Sequence, residues 1–234
     1  MNKHHQTLLT EIKKQKGRGN SQSGKDSYML SGHFYYDISV PVRRGLVKEW
    51  LKMHTKLTPQ ELISLLDSLY KGDSHEEKSV ASMLLAIHPE IRKNIPLTKI
   101  DNWLSELSGW AEIDGMCQSI FKAEELLSKW TAWKSFIQKL SKDKNINKRR
   151  ASIVFLTGPV AQSADRKLLD LSFEMIEKLK HEKPILITRA ISWLLRSGVK
   201  HHKKEIAEYI KINKDSLPKI AIREASRKIK TGRK

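Results

Sequence analysis

Cysteine, proline and glycine are scarce in this chain, acidic residues are outnumbered by basic ones, and long apolar runs are missing. Cys117 is the single cysteine, which excludes an internal disulfide and a cysteine-rich metal cluster. No run approaches the roughly 18 apolar residues that a membrane span requires. The opening segment, MNKHHQTLLTEIKKQKGRGN, has neither an apolar signal core nor a cleavage site, so we expect no export. Together these absences predict a protein of the reducing cytoplasm.

The charge balance is the strongest signal in the composition. Lys and Arg number 44 against 26 Asp and Glu, which gives a formal net charge of +18 at pH 7. Such an excess favours a polyanionic partner. Nucleic acid is the leading candidate, and an anionic membrane surface is the alternative. Hydrophobic residues make up 39% of the chain and charged residues 30%, a balance that suits an elongated helical protein.

The spacing of apolar residues predicts helices along almost the whole chain. Thr58 and Glu61 enclose Pro59 in the arrangement of a capping box with proline at the first helical position. No segment alternates as a strand would, and ASIVFLTG indicates a buried helix. We therefore predict an all-α fold, with a flexible basic loop rich in Gly and Ser at 16–25. The predicted helices are 2–14, 41–53, 58–71, 76–86, 97–107, 113–121, 124–127, 130–140, 148–156, 166–179, 184–196, 200–211 and 217–230.

The predicted helices come in pairs, and one helix of each pair carries a recurring phrase. SVASMLL begins at Ser79, RASIVFL at Arg150, RAISWLL at Arg189 and REASRKI at Arg223, so the last three starts are 39 and 34 residues apart. A soft repeat of roughly 35 to 43 residues made of antiparallel helix pairs is typical of HEAT-type solenoids. Stacked pairs bury their apolar stripes and place equivalent positions on one concave surface. We predict a single domain over 1–234, a curved solenoid with a concave basic groove and a frayed end at 231–234.

Basic residues cluster where two of these helices are predicted to begin. Lys148, Arg149 and Arg150 are consecutive at one start, and Arg189 occupies the equivalent place in the next repeat. The dipole of a helix favours acids at its N-terminus, so cations there gain nothing locally. A phosphate backbone nearby would account for them, and a solvated basic face is the alternative. The residues alone leave both interpretations open.

Two spacings place an aromatic ring beside a charge. Trp110 and Asp114 are four residues apart in LSELSGWAEIDGMC, which stacks an indole and a carboxylate on one helix face. Trp193 and Arg196 are three apart in SWLLR. Taken singly, each tryptophan fits a core position and Asp114 fits a surface acid or a helix cap. Glu112 is expected to point elsewhere on the helix, into solvent. Core positions are expected for the remaining tryptophans, Trp50, Trp103, Trp130 and Trp133.

Taken together, these motifs resemble those of the DNA alkylation repair family of AlkD-type DNA glycosylases, which are built from HEAT-like repeats. The resemblance extends over roughly 28–230. Its anchors are SGWAEID, KRRASIVF and RAISWLLR, and a weaker one is YYDISVPVRR, with Pro41, Arg43 and Arg44. The Trp–Asp pair, the arginine and the Trp–Arg pair all agree in spacing, which makes the resemblance specific.

The resemblance implies base excision repair, by hydrolysis of the N-glycosidic bond of N3- and N7-alkylated purines in duplex DNA. Alkylation at these nitrogens makes the purine cationic, so the base leaves as a neutral species without a general acid. The positive charge that grows on the deoxyribose must still be stabilised, and one carboxylate suffices for that, whereas sugar glycosidases generally use two. The family leaves the lesion stacked in the duplex, in contrast to base-flipping enzymes. The implied reaction is monofunctional and uses no metal or cofactor.

The resemblance also implies roles for individual residues. Asp114, Trp110 and Trp193 are the predicted catalytic residues, the two indoles packing against a sugar that turns cationic. Arg150 and Arg196 are expected to hold the phosphates that flank the damaged nucleotide. The full predicted DNA-binding set is Arg150, Arg196, Arg149, Lys148, Arg43, Arg44, Arg189 and Arg223.

Two other functions compete with this interpretation. One is a noncatalytic HEAT-like protein that binds distorted or branched DNA, and the other is a HEAT scaffold that binds an acidic protein. The presence of Trp110, Asp114 and Trp193 argues against the first, and the second predicts no preference for duplex DNA and no role for Asp114. The paired histidines at His4 and His201 lack a Cys or carboxylate at ligand spacing, so no metal site is expected. We expect a monomer in the cytoplasm, associated with the nucleoid, whose partner is double-stranded DNA carrying alkylated bases.

Overall fold

The computed structural model describes residues 2–18, 26–118 and 120–233. Within those ranges the chain is all-α, as predicted, and the one β feature is an isolated bridge between Phe34 and Ser74. Residues 19–25 of the predicted basic loop and Lys234 of the predicted frayed end lie outside the described residues. The chain divides into two compact units, Met1–Met116 and Cys117–Lys234. A single domain over the whole chain stays a prediction.

The first unit is organised around α5. Thr58 caps α4 as predicted, because its Oγ1 accepts the amide of Glu61 at 3.2 Å while the Glu61 carboxylate accepts the amide of Thr58 at 2.9 Å. Ser74 and Glu77 form the same reciprocal pair at the start of α5, which packs on α1, α3 and α4. The helices are α1 (Lys3–Lys14), α2 (Asp26–Met29), α3 (Val40–Met53), α4 (Pro59–Tyr70), α5 (His75–Ile87), α6 (Pro89–Asn94), α7 (Leu97–Ser105) and α8 (Gly109–Cys117).

The first turn of α5 is a buried cluster of charged groups. Glu77 accepts a hydrogen bond from the ring of His5 in α1 at 2.6 Å. Glu76 accepts two backbone amides from the segment that precedes α3. Lys78 donates to two carbonyl groups at the end of α4. Buried charges are tolerated only with such partners, so this turn fixes α1, the segment before α3 and the end of α4 to one another.

The second unit consists of helices that pack in a repeating order. They are α9 (Ala123–Ser128), α10 (Trp130–Leu140), α11 (Ile146–Gln162), α12 (Arg166–Leu179), α13 (Ile185–Gly198), α14 (Lys203–Ile212) and α15 (Lys219–Thr231). α11 contacts α10, α12 and α13, and α13 in turn contacts α12, α14 and α15. The pairs are α10 with α11, α12 with α13, and α14 with α15. The second helix of each pair packs on the second helix of the next pair, so α11, α13 and α15 form a continuous row. The curvature and the concave groove of a HEAT-type solenoid stay predictions.

The recurring phrase begins at the same position in each of its four helices. Ser79, Arg150, Arg189 and Arg223 are each the fifth residue of their helix. The expectation that Arg150 and Arg189 open their helices was wrong by about one turn. The reason is that the caps lie further upstream: the Asn145 side chain accepts an amide of the first turn of α11, and α13 begins directly after a proline.

The tryptophans predicted as core residues differ in exposure. Trp50, Trp103 and Trp133 are buried, which confirms the prediction for them. Trp133 packs edge-on against two buried phenylalanines, Phe121 and Phe155, with ring centroids 5.0 and 5.5 Å away. Trp130 is half-buried at the first residue of α10, because a helix end offers fewer neighbours than a helix centre.

Candidate functional site

α8 begins at a point of unusually close approach between two chain segments. Gly109, its first residue, has φ +71°, which lies in the left-handed region that favours glycine. A Cβ atom at this position would lie 2.2 Å from the carbonyl oxygen of Met29. The start of α8 therefore sits directly on the end of α2, and only glycine allows that contact.

This contact holds Trp110 in a fixed orientation. The indole Nε1 donates to the carbonyl oxygen of Tyr28 at 2.6 Å. The ring of Tyr28 meets the indole edge to face, with centroids 5.2 Å apart and planes at 78°. Trp110 is half-buried and Tyr28 is 58% exposed. The indole is thus anchored at one edge and does not belong to the core.

Asp114 lies one turn after Trp110 on the same helix. It is half-buried, and the neighbouring Gly115 is exposed, with no atom near the position of a Cβ. The spacing of four residues puts the carboxylate and the indole on one face of α8. The structure therefore brings two of the three predicted catalytic residues together at a partly exposed place in the first unit.

Tyr28 is a residue of this site that the sequence analysis missed. It lies in α2, a four-residue helix without a periodic apolar pattern, so nothing in its neighbourhood predicts contact with Trp110. The turn after α2 is tied by Asp26, whose carboxylate accepts the amides of Ser31 and Gly32 at 2.9 and 2.7 Å. The bonds from Gly32 and Ser31 lower the pKa of Asp26 despite a smaller opposing effect of burial. Tyr28 is therefore presented on an internally braced turn.

Glu112 contradicts the expectation that it lies in solvent. The residue is 3% exposed, and its carboxylate accepts hydrogen bonds from His33 at 3.0 Å, His75 at 3.1 Å and the amide of Ser108 at 3.0 Å. Burial by itself would raise the pKa of Glu112, but the bonds from these three groups outweigh it and hold that pKa below its usual range. Glu112 therefore braces α8 against α5 and the segment before α3, from the buried side of the helix.

The weaker anchor near the front contains two arginines with different environments. Arg43 is 4% exposed, and its Nε and Nη1 atoms have no hydrogen-bond partner among the described residues. Burial lowers the pKa of Arg43, and the nearby charge of Glu76 opposes that effect. Arg44 is exposed. A duplex could reach Arg44 directly, and the role of both residues in DNA binding stays a prediction.

In the second unit, Trp193 and Arg196 lie on α13, as their spacing predicts. Trp193 is half-buried. The Nε of Arg196 lies 3.3 Å from the carboxylate of Glu224 on α15 and donates to the carbonyl oxygen of Ser192 at 3.3 Å. The hydroxyl of Ser192 also donates to Glu224 at 2.6 Å. Glu224 of α15 thus forms an ion pair with the Nε side of the Arg196 guanidinium group.

A cationic cleft of about 380 Å³ lies between α13 and α15 and is called the arginine cleft below. It unites three arginines predicted to bind DNA, and its complete lining is Arg189, Arg196, Ile220, Arg223, Glu224 and Arg227. Arg227 was missed, although its position four residues after Arg223 places it on the same helix face. Guanidinium groups bind phosphate oxygens in pairs of parallel hydrogen bonds, so the cleft has the chemistry of a phosphate-binding site.

The consecutive cations of α11 have intramolecular partners. Arg150 is buried and donates to the carbonyl oxygen of Leu186. Arg149 binds Glu182 through Nε at 2.8 Å and Nη2 at 3.1 Å. Lys148 is also buried, with its Nζ 3.9 Å from the Asp143 carboxylate. These contacts connect the start of α11 with the loop before it and with the chain around the start of α13, and phosphate binding by the three residues stays a prediction.

Two further findings concern other classes of site. In the part of the chain that the structure describes, no three or more His, Cys, Asp or Glu side chains are grouped so as to hold a metal ion. Over the same residues, no helix is both long and apolar enough to cross a membrane.

Comparison with known proteins assigns the family. The sequence model of the family described as DNA alkylation repair enzyme matches residues 6–229. No significant match was found among curated proteins. The structure is similar to that of a predicted DNA alkylation repair enzyme from Enterococcus faecalis, with a TM-score of 0.70 and 20% sequence identity over 89% of this chain and 95% of the other. At this identity the structural similarity shows the common fold. Because the family match spans nearly the whole chain, the protein belongs to the DNA alkylation repair enzyme family.

Proposed function

We propose that this DNA alkylation repair enzyme is a monofunctional DNA glycosylase that releases N3- and N7-alkylpurines from duplex DNA in base excision repair. The observation that carries the proposal is the face of α8, where Trp110 is anchored by a hydrogen bond and Asp114 lies one turn away. An acid beside an oriented aromatic ring suits the stabilisation of a sugar that becomes cationic.

The reaction requires one water molecule and a base that is already activated. The bond between C1′ and the purine nitrogen breaks, and its electron pair neutralises the charge of the alkylated ring. Water adds to C1′ and loses a proton, which leaves an abasic sugar and a neutral alkylpurine. In this scheme Asp114 stabilises the cationic sugar and orients the water, and the purine needs no acid to leave.

The remaining roles are proposed on the basis of the motifs. Trp193 acts as the second aromatic ring of the catalytic set. The cations of the predicted DNA-binding set neutralise backbone phosphates, which positions the duplex without reading its sequence. We propose that the lesion stays stacked and that the protein works as a monomer without a metal or cofactor. The arginine cleft supports phosphate binding because it collects Arg189, Arg196 and Arg223 in one place.

The decisive experiment measures base release by an Asp114→Asn variant. Methylated duplex DNA is incubated with each protein, and released 7-methylguanine and 3-methyladenine are quantified under single-turnover conditions. We expect release by the variant to fall by about 100-fold to 1000-fold, a loss typical of removing one preorganised electrostatic group. Binding to undamaged duplex should be unchanged, because no phosphate contact is lost.

Asp101→Asn is the matched control, since Asp101 is a half-buried acid of the same unit on α7. It should release bases at the wild-type rate. If Asp114→Asn released them at that rate too, the proposed mechanism would be wrong.

A noncatalytic protein that binds distorted or branched DNA is the alternative. The arginine cleft favours it, since a set of arginines can bind phosphates without the help of a catalytic acid. That function predicts tight binding to four-way junctions and no base release by the wild-type protein. Release from methylated duplex by the wild type would exclude it.

A further inference from the structure

A second cationic cleft lies next to the arginine cleft in the second unit. It has a volume of about 540 Å³ and is formed by the chain around the ends of α12 and α14 and the starts of α13 and α15. Four lysines line it: Lys180, Lys183, Lys214 and Lys219. It is called the lysine cleft below. Neither the motifs nor the family resemblance assigned any role to these residues.

The charges of the lysine cleft are only partly balanced within the protein. Lys180 is mostly buried and is bound by Glu177 at 2.6 Å and by Asn213 at 2.8 Å. Glu182, one of the two acids of the lining, accepts the two hydrogen bonds from Arg149. Asp215 is the other acid. The cleft therefore has one acid, Asp215, that is not bound by Arg149. It has three exposed lysines, Lys183, Lys214 and Lys219.

The two clefts adjoin each other. Ile220 lines both of them, and the adjacent residues Thr188 and Arg189 line the lysine cleft and the arginine cleft respectively. A polyanion that occupies the arginine cleft can therefore continue into the lysine cleft past Ile220. A free anion would fill one cleft only, whereas a phosphate backbone extends over both.

We propose that the lysine cleft binds the phosphate backbone of duplex DNA beyond the phosphates held in the arginine cleft. The proposal rests on the proposed binding of duplex DNA by this protein, and it does not depend on base release. Lysines bind phosphates as mobile point charges, whereas arginines impose a paired geometry. The lysine cleft therefore increases the affinity for DNA and lengthens the bound segment of duplex, and it binds damaged and undamaged duplexes equally.

The test compares two triple variants that remove the same charge from the same unit. The first is Lys183→Ala, Lys214→Ala and Lys219→Ala. The control is Lys203→Ala, Lys204→Ala and Lys211→Ala, since these three lysines are exposed on α14 outside both clefts. Affinity for methylated and undamaged duplexes is measured by fluorescence anisotropy at several salt concentrations.

The first variant should bind both duplexes more weakly, by on the order of tenfold or more, and its salt slope should be flatter by about three, one unit for each lysine. The control should keep most of the wild-type affinity and slope. A third variant, Lys183→Arg, Lys214→Arg and Lys219→Arg, should also keep the wild-type affinity and slope, which separates lost charge from a folding defect. Equal weakening by the two alanine variants would overturn the proposal, because net charge alone would then explain it.

Duplex length gives a second measurement. When the duplex is shortened stepwise from one side of the lesion, the wild type and the first variant should become equal in affinity, because the contact with the lysine cleft is then gone. Shortening from the other side should leave the difference intact. A difference that survives shortening from both sides would overturn the proposal. If the wild-type protein released no bases but these differences in DNA binding were observed, the proposed catalysis would be wrong and the assignment of the lysine cleft would still hold.

Discussion

Two acids on α8 show how strongly the environment of a residue depends on the side of the helix it occupies. Glu112 and Asp114 are two residues apart, which rotates their side chains by about 200° around the helix axis. Glu112 is enclosed by His33, His75 and the amide of Ser108, whereas Asp114 is half-exposed on the face of Trp110. The buried acid braces the helix on which the proposed catalytic acid is carried.

Replacing Glu112 by Gln should destabilise the protein at neutral pH by about 1.5 to 3 kcal/mol, since hydrogen bonds to a buried charged group are lost. The pKa of Glu112 is lowered in the folded state, so its stabilising contribution is complete above the unfolded pKa of about 4.3 and disappears as the pH falls through the folded value. The difference in free energy of unfolding between the wild type and the variant should therefore shrink below about pH 4. Urea unfolding at a series of pH values measures it.

The exposed Glu208 of α14 provides the control for this measurement. Glu208→Gln should follow the wild-type curve at every pH. A constant difference between wild type and Glu112→Gln from pH 7 to pH 3 would contradict the account, because it would show that the carboxylate charge plays no part.

At the scale of the element, the observed helix boundaries differ from the predicted ones where tertiary contacts outweigh the local sequence pattern. α8 was predicted at 113–121 and lies at Gly109–Cys117, since its start is set by the contact between Gly109 and the end of α2. α11 was predicted at 148–156 and extends over Ile146–Gln162, through Gly158 and Pro159. Its residues 150–160 are all buried against neighbouring helices, and most helical stability in proteins comes from such packing.

Two glycines of α8 give a matched test of this interpretation. Gly109→Ala should destabilise the protein by about 2 to 4 kcal/mol, because the left-handed backbone disfavours a side chain and the new Cβ meets the carbonyl of Met29. Gly115→Ala should stabilise it by ~0.5–1 kcal/mol, since alanine is the better helix former and space is open there. Thermal unfolding of both variants measures the contrast. Similar changes in the two variants would contradict the assigned role of Gly109.

At the scale of the whole molecule, the charge excess becomes informative once its placement is known. The net charge of +18 predicts a polyanion as partner without saying where it binds. Several cations of the predicted DNA-binding set, among them Arg43, Arg149 and Arg150, are buried or engaged within the protein. The arginine and lysine clefts, on adjoining surfaces of the second unit, also contain paired cations, Arg196 and Lys180. Their exposed cations are Arg189, Arg223, Arg227, Lys183, Lys214 and Lys219.

Affinity of the wild-type protein for duplex DNA should fall steeply with salt. Each neutralised phosphate contributes about 0.9 to the slope of log affinity against log salt concentration, so four contacts already give about −3.6. Anisotropy titrations between low and physiological salt measure this slope. A flat response would contradict binding to the phosphate backbone and would favour a scaffold that binds an acidic protein.

The fold class and the family of this protein could be predicted from the sequence alone, because the signals for them are local. Helical periodicity, the capping box at Thr58 and the motifs around Trp110, Arg150 and Trp193 are all read within about one or two turns of helix. These signals predicted the all-α fold and the family, and both are confirmed. The shared register of Ser79, Arg150, Arg189 and Arg223 is a further regularity that the sequence contained.

The tertiary structure alone decided which side chains meet. His33 and Glu112 are 79 residues apart, Tyr28 and Trp110 are 82 apart, and Ser192 and Glu224 are 32 apart. No local pattern encodes such pairs, because the burial and pairing of a charge depend on groups that only folding brings near it. The sequence therefore determined the helices, the excess of positive charge and the motifs, and folding determined which charges are buried and which remain free to face a ligand.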